Sequence, residues 1–549
     1  MEKADSYQVR KLNPRKEYLI QVPGSKSITN RAFLLAALSG KKCVLSGVLF
    51  SDDTRGFLDC LIQLGFRVEI KEEKQKVTIQ GTDGRIPNPE ASINVRSAGT
   101  AARFLTVALA FAGGNYYLDA SEQMRKRPME PILKILEKLN IKFRFNNEEY
   151  HFPFELSSQF TEDEEQKDKI QKDKVQKDKI QKMVAEEDRC RNDVAQEENE
   201  MSEITIDTNL SSQFASALLM AACLLPTGLK IHLTGSRTAG SYIKMTLAMM
   251  KQFGIQVKQT ENCYEIAHQE GWGLTEYEVE PDVSAACYFY AMVPLLKTSV
   301  IVKGVQEKSL QGDIQFLNVL EQMGCQKEET PEGIRLTMKE PEMHGVDISM
   351  KDFSDQTMTL AAIAPFADRV TRIHNIGHIR FQESDRIRAI LTELQRMGVR
   401  CEEAPEIDGI QIFPWEKAPE DNIVAEGEST IECESATESK SAAENESATE
   451  GESTIECESA TESESTTENE SATESKSAAE SESATGSKSV AERESIIERG
   501  NITIETYDDH RMAMAFTLPG LKTGNIVIKN PGCCRKTFEN YFSVINSLY

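Results

Sequence analysis

The stretch LDCLIQLG (Leu58–Gly65), followed by FRVEI, decides the fold. Leucines three residues apart give one apolar face of a helix, and a glycine just past the last leucine is typical of a helix C-cap. The residues after Gly65 alternate between apolar and charged, which predicts a strand. The stretch therefore predicts a helix that stops at a glycine and returns as a strand.

The same pattern recurs along the chain, with asparagine replacing glycine once. It occurs at Leu58–Gly65, Leu133–Asn140, Leu247–Gly254, Leu317–Gly324 and Leu391–Gly398, and a degenerate sixth copy fits Thr537–Leu548. The first five copies start 75, 114, 70 and 74 residues apart, and the longest interval contains a low-complexity insertion of 43 residues. Six such α/β units predict two lobes of three units each, with a ligand cleft between them.

Two low-complexity insertions carry nearly all of the net charge. The chain has 549 residues and a formal charge of −25, to which residues 161–203 contribute −6 and residues 416–500 contribute −18. The remainder is almost neutral, which argues against a nucleic-acid-binding protein. Neither insertion contains an aromatic residue, so we expect 416–500 to be disordered and 161–203 to be a tolerated surface expansion.

The remaining composition indicates where the protein works. No run of 18 apolar residues occurs, so we expect no membrane-spanning helix and no membrane partner. The first 18 residues lack the apolar core of a signal peptide. The twelve cysteines show no CxxC spacing, which is typical of reduced thiols. We therefore expect a cytoplasmic protein.

Several strand-to-helix turns are rich in lysine, arginine, serine and glutamine, which favours anion binding at helix N-termini. PGSKSITNR (residues 23–31) supplies Lys26, Ser27 and Arg31, and SAGTAAR (residues 97–103) supplies Gly99. The other turns supply Arg127 in RKRP, Ser211, Ser212 and Gln213 in LSSQF, Glu383 and Arg386 in ESDR, Arg511 in DDHRMAM, and Lys536. Together they predict a cleft for small polyanionic molecules.

Each turn also has an ordinary structural interpretation. The basic ones fit capped helix starts or solvated loops, Asp355 fits an N-cap, and Tyr242 fits a packing residue. The SSQF letters recur at residues 157–160, but the acidic tract that follows would repel an anion, so we exclude that copy.

In their order along the chain, these strings resemble the 5-enolpyruvylshikimate-3-phosphate synthase family of enolpyruvyl transferases. The motifs are PGSKS-x-x-NR, SAGT-x-x-R, RKRP, SSQF, QGD (residues 311–313), ESDR, DDHRMAM and KTF, and they span the chain outside the two insertions. The resemblance implies a two-lobed inverse α/β barrel of six βαβαββ repeats. Residues 1–24 and 280–549 would form the C-terminal lobe, and residues 25–279 the N-terminal lobe.

The resemblance also implies an activity. Such enzymes transfer the enolpyruvyl group of phosphoenolpyruvate to the 5-hydroxyl of 3-phosphoshikimate and release phosphate, in the shikimate pathway to aromatic amino acids. They need no cofactor or metal, and we expect a monomer. Asp355 would take the hydroxyl proton, and Glu383, near Lys26, would deliver a proton to the methylene carbon.

The family's binding residues map onto this sequence by motif. 3-Phosphoshikimate would be bound by Lys26, Ser27, Arg31, Ser211, Ser212, Gln213, Tyr242, Asp355, His378 and Gln382. Phosphoenolpyruvate would be bound by Lys26, Gly99, Arg127, Gln213, Arg386, Arg511 and Lys536.

Three positions depart from the family pattern. Gln382 stands where a lysine is common, His378 where an asparagine is common, and Ala239 where a serine is common. We expect Gln382 and His378 still to hydrogen-bond the substrate in a less positive pocket. Two alternatives stay open, the sister UDP-N-acetylglucosamine enolpyruvyl transferase and a non-catalytic scaffold. The sister's loop usually carries a Cys or Asp acid, which residues 124–128 lack.

Overall fold

The structure is a computed structural model that describes residues 5–158, 201–209, 211–235, 238, 240–415 and 500–549. The expectations for most of both insertions, and for Ala239, lie outside these residues. Ser202–Asp207 is a strand whose Ile204 and Ile206 are buried, so the boundary predicted at residue 203 was two residues too late. Within these ranges no helix combines the length and apolar character needed to cross a bilayer.

The helices begin at the turns singled out in the sequence. Lys26–Leu38 begins inside the motif PGSKSITNR, and Asp385 caps Arg386–Arg396 by accepting from a backbone N–H. Within the described ranges the α-helices are Lys26–Leu38, Asp52–Gln63, Gly99–Ala112, Glu122–Arg125, Glu130–Lys138, Ser212–Ala221, Ser241–Gln252, Val283–Tyr290, Met292–Leu296, Phe316–Gln322, Thr357–Ile363, Arg386–Arg396, His510–Thr523 and Tyr541–Ser547.

The described apolar side chains form two separate clusters. The first core runs from Ile28 to Val279, and the second core comprises buried residues from Val9 to Val22 and from Val283 to Leu548. Each core is bordered by three small sheets. The N-terminal strands Ser6–Gln8 and Glu17–Ile20 belong to sheets of the second core.

Strands around the first core form three four-stranded sheets. In spatial order, the first sheet consists of Glu276–Glu278, Lys42–Ser46, Lys76–Gln80 and Val68–Lys71. The second consists of Glu90–Asn94, Gly114–Asp119, Phe154–Ser158 and Lys142–Phe145. The third consists of Ser202–Asp207, Leu229–Thr234, Cys263–Ile266 and Lys258–Thr260.

Strands around the second core form two four-stranded sheets and one of three strands. In spatial order they are Cys325–Thr330, Gly333–Met338, Ser299–Lys303 and Glu17–Ile20; Asp347–Ser349, Thr371–His374, Gly409–Ile412 and Cys401–Ala404; and Ser6–Gln8, Ile526–Lys529 and Ile502–Ile504.

One sheet shows how each unit is built. Glu90–Asn94 and Gly114–Asp119 are parallel, and the helix Gly99–Ala112 connects them, as a parallel pair requires. A second helix then leads into the antiparallel strands Lys142–Phe145 and Phe154–Ser158. The order is strand, helix, strand, helix, strand, strand, as the resemblance implied.

The repeated glycines and asparagine end their helices as predicted. Each lies just past a helix end in the left-handed backbone region, which a glycine or asparagine adopts at low cost. The φ values are 86° at Gly65, 64° at Asn140, 91° at Gly254, 104° at Gly324 and 81° at Gly398. A strand follows each of them.

The chain passes between the two cores at residues 23–25 and 280–282. These segments lie side by side, joined by two backbone hydrogen bonds of 2.8 Å. A Cβ atom at Gly24 would lie 1.9 Å from the carbonyl oxygen of Gly47, so only glycine fits there. Lys26 follows this double crossing directly, which places the first anion motif where the two cores meet.

Candidate active site

A cleft of about 390 Å³ is bordered by side chains from both cores. Most predicted site residues lie on it: Lys26, Ser27, Arg31, Gly99, Arg127, Ser211, Ser212, Gln213, Tyr242, Asp355, Gln382, Glu383, Arg386 and Arg511. Lys536 and His378 do not border it. Lys536 Nζ lies 3.3 Å from Glu383, and His378 Nε2 lies 2.8 Å from the hydroxyl of Ser354, which is on the cleft.

Asp355 is a carboxylate on the cleft that is paired with two arginines. Its two oxygens accept from Arg386 Nη1 at 3.1 Å and from Arg511 Nη2 at 2.7 Å. The Tyr242 hydroxyl, which belongs to the first core, donates to the same carboxylate at 2.6 Å. Burial alone would raise the pKa of Asp355, but the charges of Arg511 and Arg386 outweigh it and hold the pKa below its usual range. Asp355 is therefore ionised at neutral pH.

The N-cap interpretation of Asp355 is wrong. The short turn Ser354–Gln356 precedes the helix Thr357–Ile363, and neither start has a side-chain cap. The side chain of Asp355 makes ion pairs with two arginines instead. Tyr242 packs on the first core but also reaches Asp355, so it links the two cores at the cleft.

Arg386 is held in place by a second buried carboxylate. Its guanidinium is 2% exposed and donates through Nε to Asp509 at 2.8 Å. Asp509 also caps the helix His510–Thr523 by accepting from the backbone N–H of Arg511. Gln382 accepts a further hydrogen bond from Arg386. These contacts fix the orientation of Arg386, and the Asp509 cap fixes the start of the helix that carries Arg511.

Glu383 lies against one cation and one imidazole. It accepts a hydrogen bond from His510 Nδ1 at 3.0 Å and forms an ion pair with Lys536 Nζ at 3.3 Å. Burial would raise the pKa of Glu383, but His510 and Lys536 outweigh it and hold the pKa well below its usual range. Burial lowers the pKa of His510, so its ring is neutral at pH 7. Because an ionised Glu383 can only accept, we assign the ring proton to Nδ1.

The side chains of Glu383, Asp509 and His510 approach one another closely enough to hold a cation, since their ligand atoms lie within 4.8 Å. However, Arg386 already neutralises Asp509, and Lys536 already neutralises Glu383. This arrangement needs no metal to balance its charge, and the expectation of a metal-free site stays a prediction.

Two arginines of the first core have buried donors that no described residue satisfies. These donors are Nε of Arg103 and Nη2 of Arg127. Arg103 Nη1 donates to the Gln213 side chain at 2.8 Å, and burial together with the Arg127 charge lowers the pKa of Arg103 to about 9. A Cβ at Gly99 would lie 2.7 Å from Arg103 and 3.2 Å from Arg127. Unpaired buried cations are costly, so this corner favours an anionic ligand.

The cations of the basic loop before Pro128 are less available to an anionic ligand than the sequence indicated. Arg125 pairs with Asp119 at 2.8 Å, and Lys126 pairs with Glu122 at 3.2 Å. Of the three cations in RKRP, Arg127 alone lacks a carboxylate partner within the described ranges.

Arg31 was predicted to bind the substrate directly, but its surroundings do not match that prediction. It is 1% exposed, and its Nε donates to Thr246 at 2.8 Å while Nη1 donates to the Ser27 carbonyl at 2.9 Å. Nη2 donates to Ser216 at 3.2 Å and to the Tyr242 carbonyl at 3.4 Å. Burial lowers its pKa to about 10. Most of its donors are therefore used to join helices of the first core.

At two of the predicted anion-binding helix starts, those at Lys26 and Ser211, groups of the protein itself already use some of the polar atoms. The N–H of Lys26 donates to Asp282 at 3.2 Å, and the Lys26 ammonium lies 3.3 Å from Asp53. The Ser211 hydroxyl accepts from the N–H of Gln213 at 3.2 Å as a helix cap. The Gln213 side chain directs its oxygen to Arg103, which leaves its NH₂ group as the donor for a ligand.

Four residues that border the cleft were not predicted as site residues from the sequence. They are Asp53, Arg103, Ser354 and His510. Arg103 ends the SAGTAAR motif, one helical turn after Gly99, and that spacing would have placed both on the same helix face. Asp53 carries no such local signal, because its contact with Lys26 depends on two separate helices.

Comparison with known proteins agrees with this geometry. A family model described as EPSP synthase (3-phosphoshikimate 1-carboxyvinyltransferase) matches residues 15–175, 181–427 and 482–545. The 3-phosphoshikimate 1-carboxyvinyltransferase of Trichormus variabilis is 32% identical over 540 residues, covering 98% of each chain. That of Neisseria meningitidis serogroup B is 29% identical over 532 residues, covering 96% of this chain and 95% of its own.

A solved structure of EPSP synthase from Acinetobacter baumannii shares the fold. It matches with a TM-score of 0.64 and 17% identity, covering 99% of this chain and 98% of that one. The predicted fold class is thus confirmed, and so is the prediction of an enolpyruvyl transferase of the shikimate pathway. A family model that spans most of the chain, with a relative 32% identical over nearly its whole length, shows that this chain belongs to the EPSP synthase (3-phosphoshikimate 1-carboxyvinyltransferase) family.

Proposed function

We propose that the cleft binds phosphoenolpyruvate and 3-phosphoshikimate side by side and transfers the enolpyruvyl group between them. The observation that carries this proposal is the approach of cations from both cores to the two carboxylates Asp355 and Glu383. Arg386, Arg511 and Lys536 belong to the second core's elements, and the charge of Lys26, from the first, acts on both carboxylates. Two phosphates and a carboxylate need such a set of donors.

Phosphoenolpyruvate would lie where the unpaired donors converge. Arg127, with Arg103 beside it, offers buried N–H groups, and the lack of a side chain at Gly99 leaves room there. Arg386, Arg511, Lys26, Gln213 and Lys536 would complete its site. 3-Phosphoshikimate would be bound by Ser27, Ser211, Ser212, Gln213, Tyr242, Asp355 and Gln382. His378 would act through the Ser354 hydroxyl, and Arg31 would hold the helices of the first core that carry the site.

Asp355 and Glu383 would have different roles in the reaction, because their surroundings differ. Asp355, ionised beside two arginines, accepts the proton of the 5-hydroxyl, whose oxygen attacks the second carbon of phosphoenolpyruvate. Glu383, once protonated, gives its proton to the methylene carbon, which yields a tetrahedral ketal phosphate. Glu383 then takes a methyl proton back as the carbon–phosphate oxygen bond breaks. The phosphate leaves with the proton that Asp355 accepted.

We further propose that the two cores are two lobes that close over the substrates, with the crossings at residues 23–25 and 280–282 as the boundary. Hydrogen bonds from Ser241 and Tyr242 in the first core to residues of the second support this arrangement. Closure would exclude water and protect the ketal from hydrolysis. We also propose a cytoplasmic monomer; the nine cysteines within the described ranges are free thiols, as in a reducing compartment.

The experiment that tests the function is phosphate release from phosphoenolpyruvate by the full chain. We expect release that depends on 3-phosphoshikimate and does not occur with UDP-N-acetylglucosamine. Release with the nucleotide sugar would favour the sister activity, and no release with either acceptor would favour the scaffold.

Gln382→Lys should strengthen binding of 3-phosphoshikimate. The substitution adds a cation to the cleft and removes the acceptor that now holds Arg386. A charge-assisted hydrogen bond contributes roughly 1.5–3 kcal/mol, so we expect KM for 3-phosphoshikimate to fall by at least about tenfold. Gln411→Lys is the matched control, because Gln411 also accepts from an arginine, Arg372, but does not border the cleft. An unchanged KM in Gln382→Lys would remove Gln382 from the binding site.

A further inference from the structure

A second cavity, much smaller than the cleft, lies beside it. Its volume is about 20 Å³, which is enough for an ordered water molecule. Its lining includes Lys26, Tyr288, Asp313, His510 and Thr537. His510 is one of the residues that border both this cavity and the cleft.

Three side chains on this cavity have buried polar atoms without a partner among the described residues. They are His510 Nε2, Tyr288 Oη and Thr537 Oγ1. The Arg511 guanidinium is close to the Tyr288 hydroxyl but outside hydrogen-bond geometry. Buried polar atoms are nearly always paired with protein or with water, so three such atoms around one small cavity indicate a water site.

Asp313 is the carboxylate on this cavity that is suited to hold a proton. It is 5% exposed and accepts from the Ser284 hydroxyl at 3.0 Å and from the Gln356 amide at 2.9 Å, both neutral donors. Burial and the nearby charge of Asp355 raise its pKa to about 6. Asp313 thus exchanges a proton near neutral pH, whereas Asp355 stays ionised.

The other groups around Asp313 are compatible with its role as the group that stores the proton. Arg511 lowers its pKa and Asp355 raises it, while Lys26 and Asp282 border the same cavity. Burial raises the pKa of three further neighbours, so they are neutral at pH 7 and do not compete for the proton; these are Cys287, Tyr242 and Tyr288.

We propose that water in this cavity carries a proton from Asp313 to His510, and that His510 passes a proton on to Glu383. Asp313 gives its proton to the water, which gives one to Nε2 of His510. The Nδ1 proton of His510 moves to Glu383 over the existing 3.0 Å hydrogen bond. Asp313 ends ionised, the water is unchanged, His510 is neutral in its other tautomer, and Glu383 is a carboxylic acid.

The relay rests on the proposed function, because it would supply the proton that Glu383 needs in that reaction. Glu383 takes a methyl proton back at the end of each transfer, but its lowered pKa means that it loses this proton again in the free chain. It must therefore be reloaded with a proton before each protonation of the methylene carbon. In the closed state proposed above, the two bound anions would separate the cleft side of Glu383 from bulk water. A supply from behind His510 reaches Glu383 without crossing the substrates.

Asp313→Asn tests the relay, because the amide fills the same space but cannot store the proton. We expect kcat to fall about tenfold, less than the full effect of a general acid, and KM for both substrates to stay within about twofold. In the unaltered chain kcat should fall as pH rises above about 6, since protonated Asp313 is the supplying form. Asp313→Asn should lose this pH dependence. Wild-type kcat together with the wild-type pH profile would overturn the relay.

A second variant keeps the test decisive if Asp313→Asn does not fold. Ser284→Ala removes a hydrogen bond that favours the ionised Asp313, so it should move the fall in kcat to higher pH; an unmoved profile would overturn the relay. Asp352→Asn, which removes a carboxylate outside both cavities, is the charge-matched control. If the unaltered chain released no phosphate with 3-phosphoshikimate, the proposed function itself would fail. If it is active and Asp313→Asn behaves like it, the relay alone fails.

Discussion

Asp355→Asn is expected to lower kcat for phosphate release by a factor of about 10²–10⁴, the range for loss of a general base. The amide keeps the shape of the side chain and can still accept from Tyr242, but it cannot take the 5-hydroxyl proton. It also leaves Arg386 and Arg511 with one carboxylate fewer. Steady-state phosphate release at saturating concentrations of both substrates measures the effect.

The asparagine variant is preferable to alanine, because alanine would leave the two buried arginines without any acceptor at this position. Breaking a buried pair in this way costs about 3–5 kcal/mol and would confuse lost folding with lost chemistry. Asp352→Asn makes the same charge change three residues away and should keep kcat. Retained turnover in Asp355→Asn, with a folded protein by thermal melting, would remove Asp355 from the proton-transfer step.

Glu383→Gln should have an effect of similar size, again about 10²–10⁴ in kcat. Glutamine preserves the contact with Lys536 through its oxygen but has no proton to give to the methylene carbon. Substrate binding should persist, because the arginines that bind the anions are unchanged. Deuterium from the solvent should enter the methylene group in the unaltered chain and should not enter it in the variant.

Glu393→Gln is the matched control for a buried glutamate of the second core. Glu393 is fully buried and accepts from Arg396 and Tyr507, away from the cleft. We expect this variant to melt at a lower temperature and to keep kcat. If Glu383→Gln still incorporated deuterium at the normal rate, another group would be the acid.

Local sequence pattern was sufficient for the architecture. The apolar spacing in Leu58–Gly65 specifies a helix face, and Gly65 adopts the left-handed backbone that ends the helix. The same reasoning located the units at Asn140, Gly254, Gly324 and Gly398. It worked because helix faces, caps and strand alternation are decided by residues close together in the chain.

The pairings within the site depend on residues far apart in the chain, and here sequence reasoning stopped. Tyr242 and Asp355 are 113 residues apart, and Arg386 and Asp509 are 123 apart. Motifs indicated that arginines would face anions but not that Asp509 would hold Arg386. Arg31 was expected to bind a ligand, yet its neighbours use most of its donors, which only the packing of three helices reveals.

The central claim is that side chains from both cores bind the same pair of anions. A crystal structure of the full chain with phosphoenolpyruvate and 3-phosphoshikimate bound tests it most directly, with the Asp355→Asn variant used to slow turnover. The account predicts that phosphoenolpyruvate contacts Arg127 of the first core together with Arg386 and Arg511 of the second. Ligands seated on one core alone, with those three guanidiniums facing separate spaces, would contradict it.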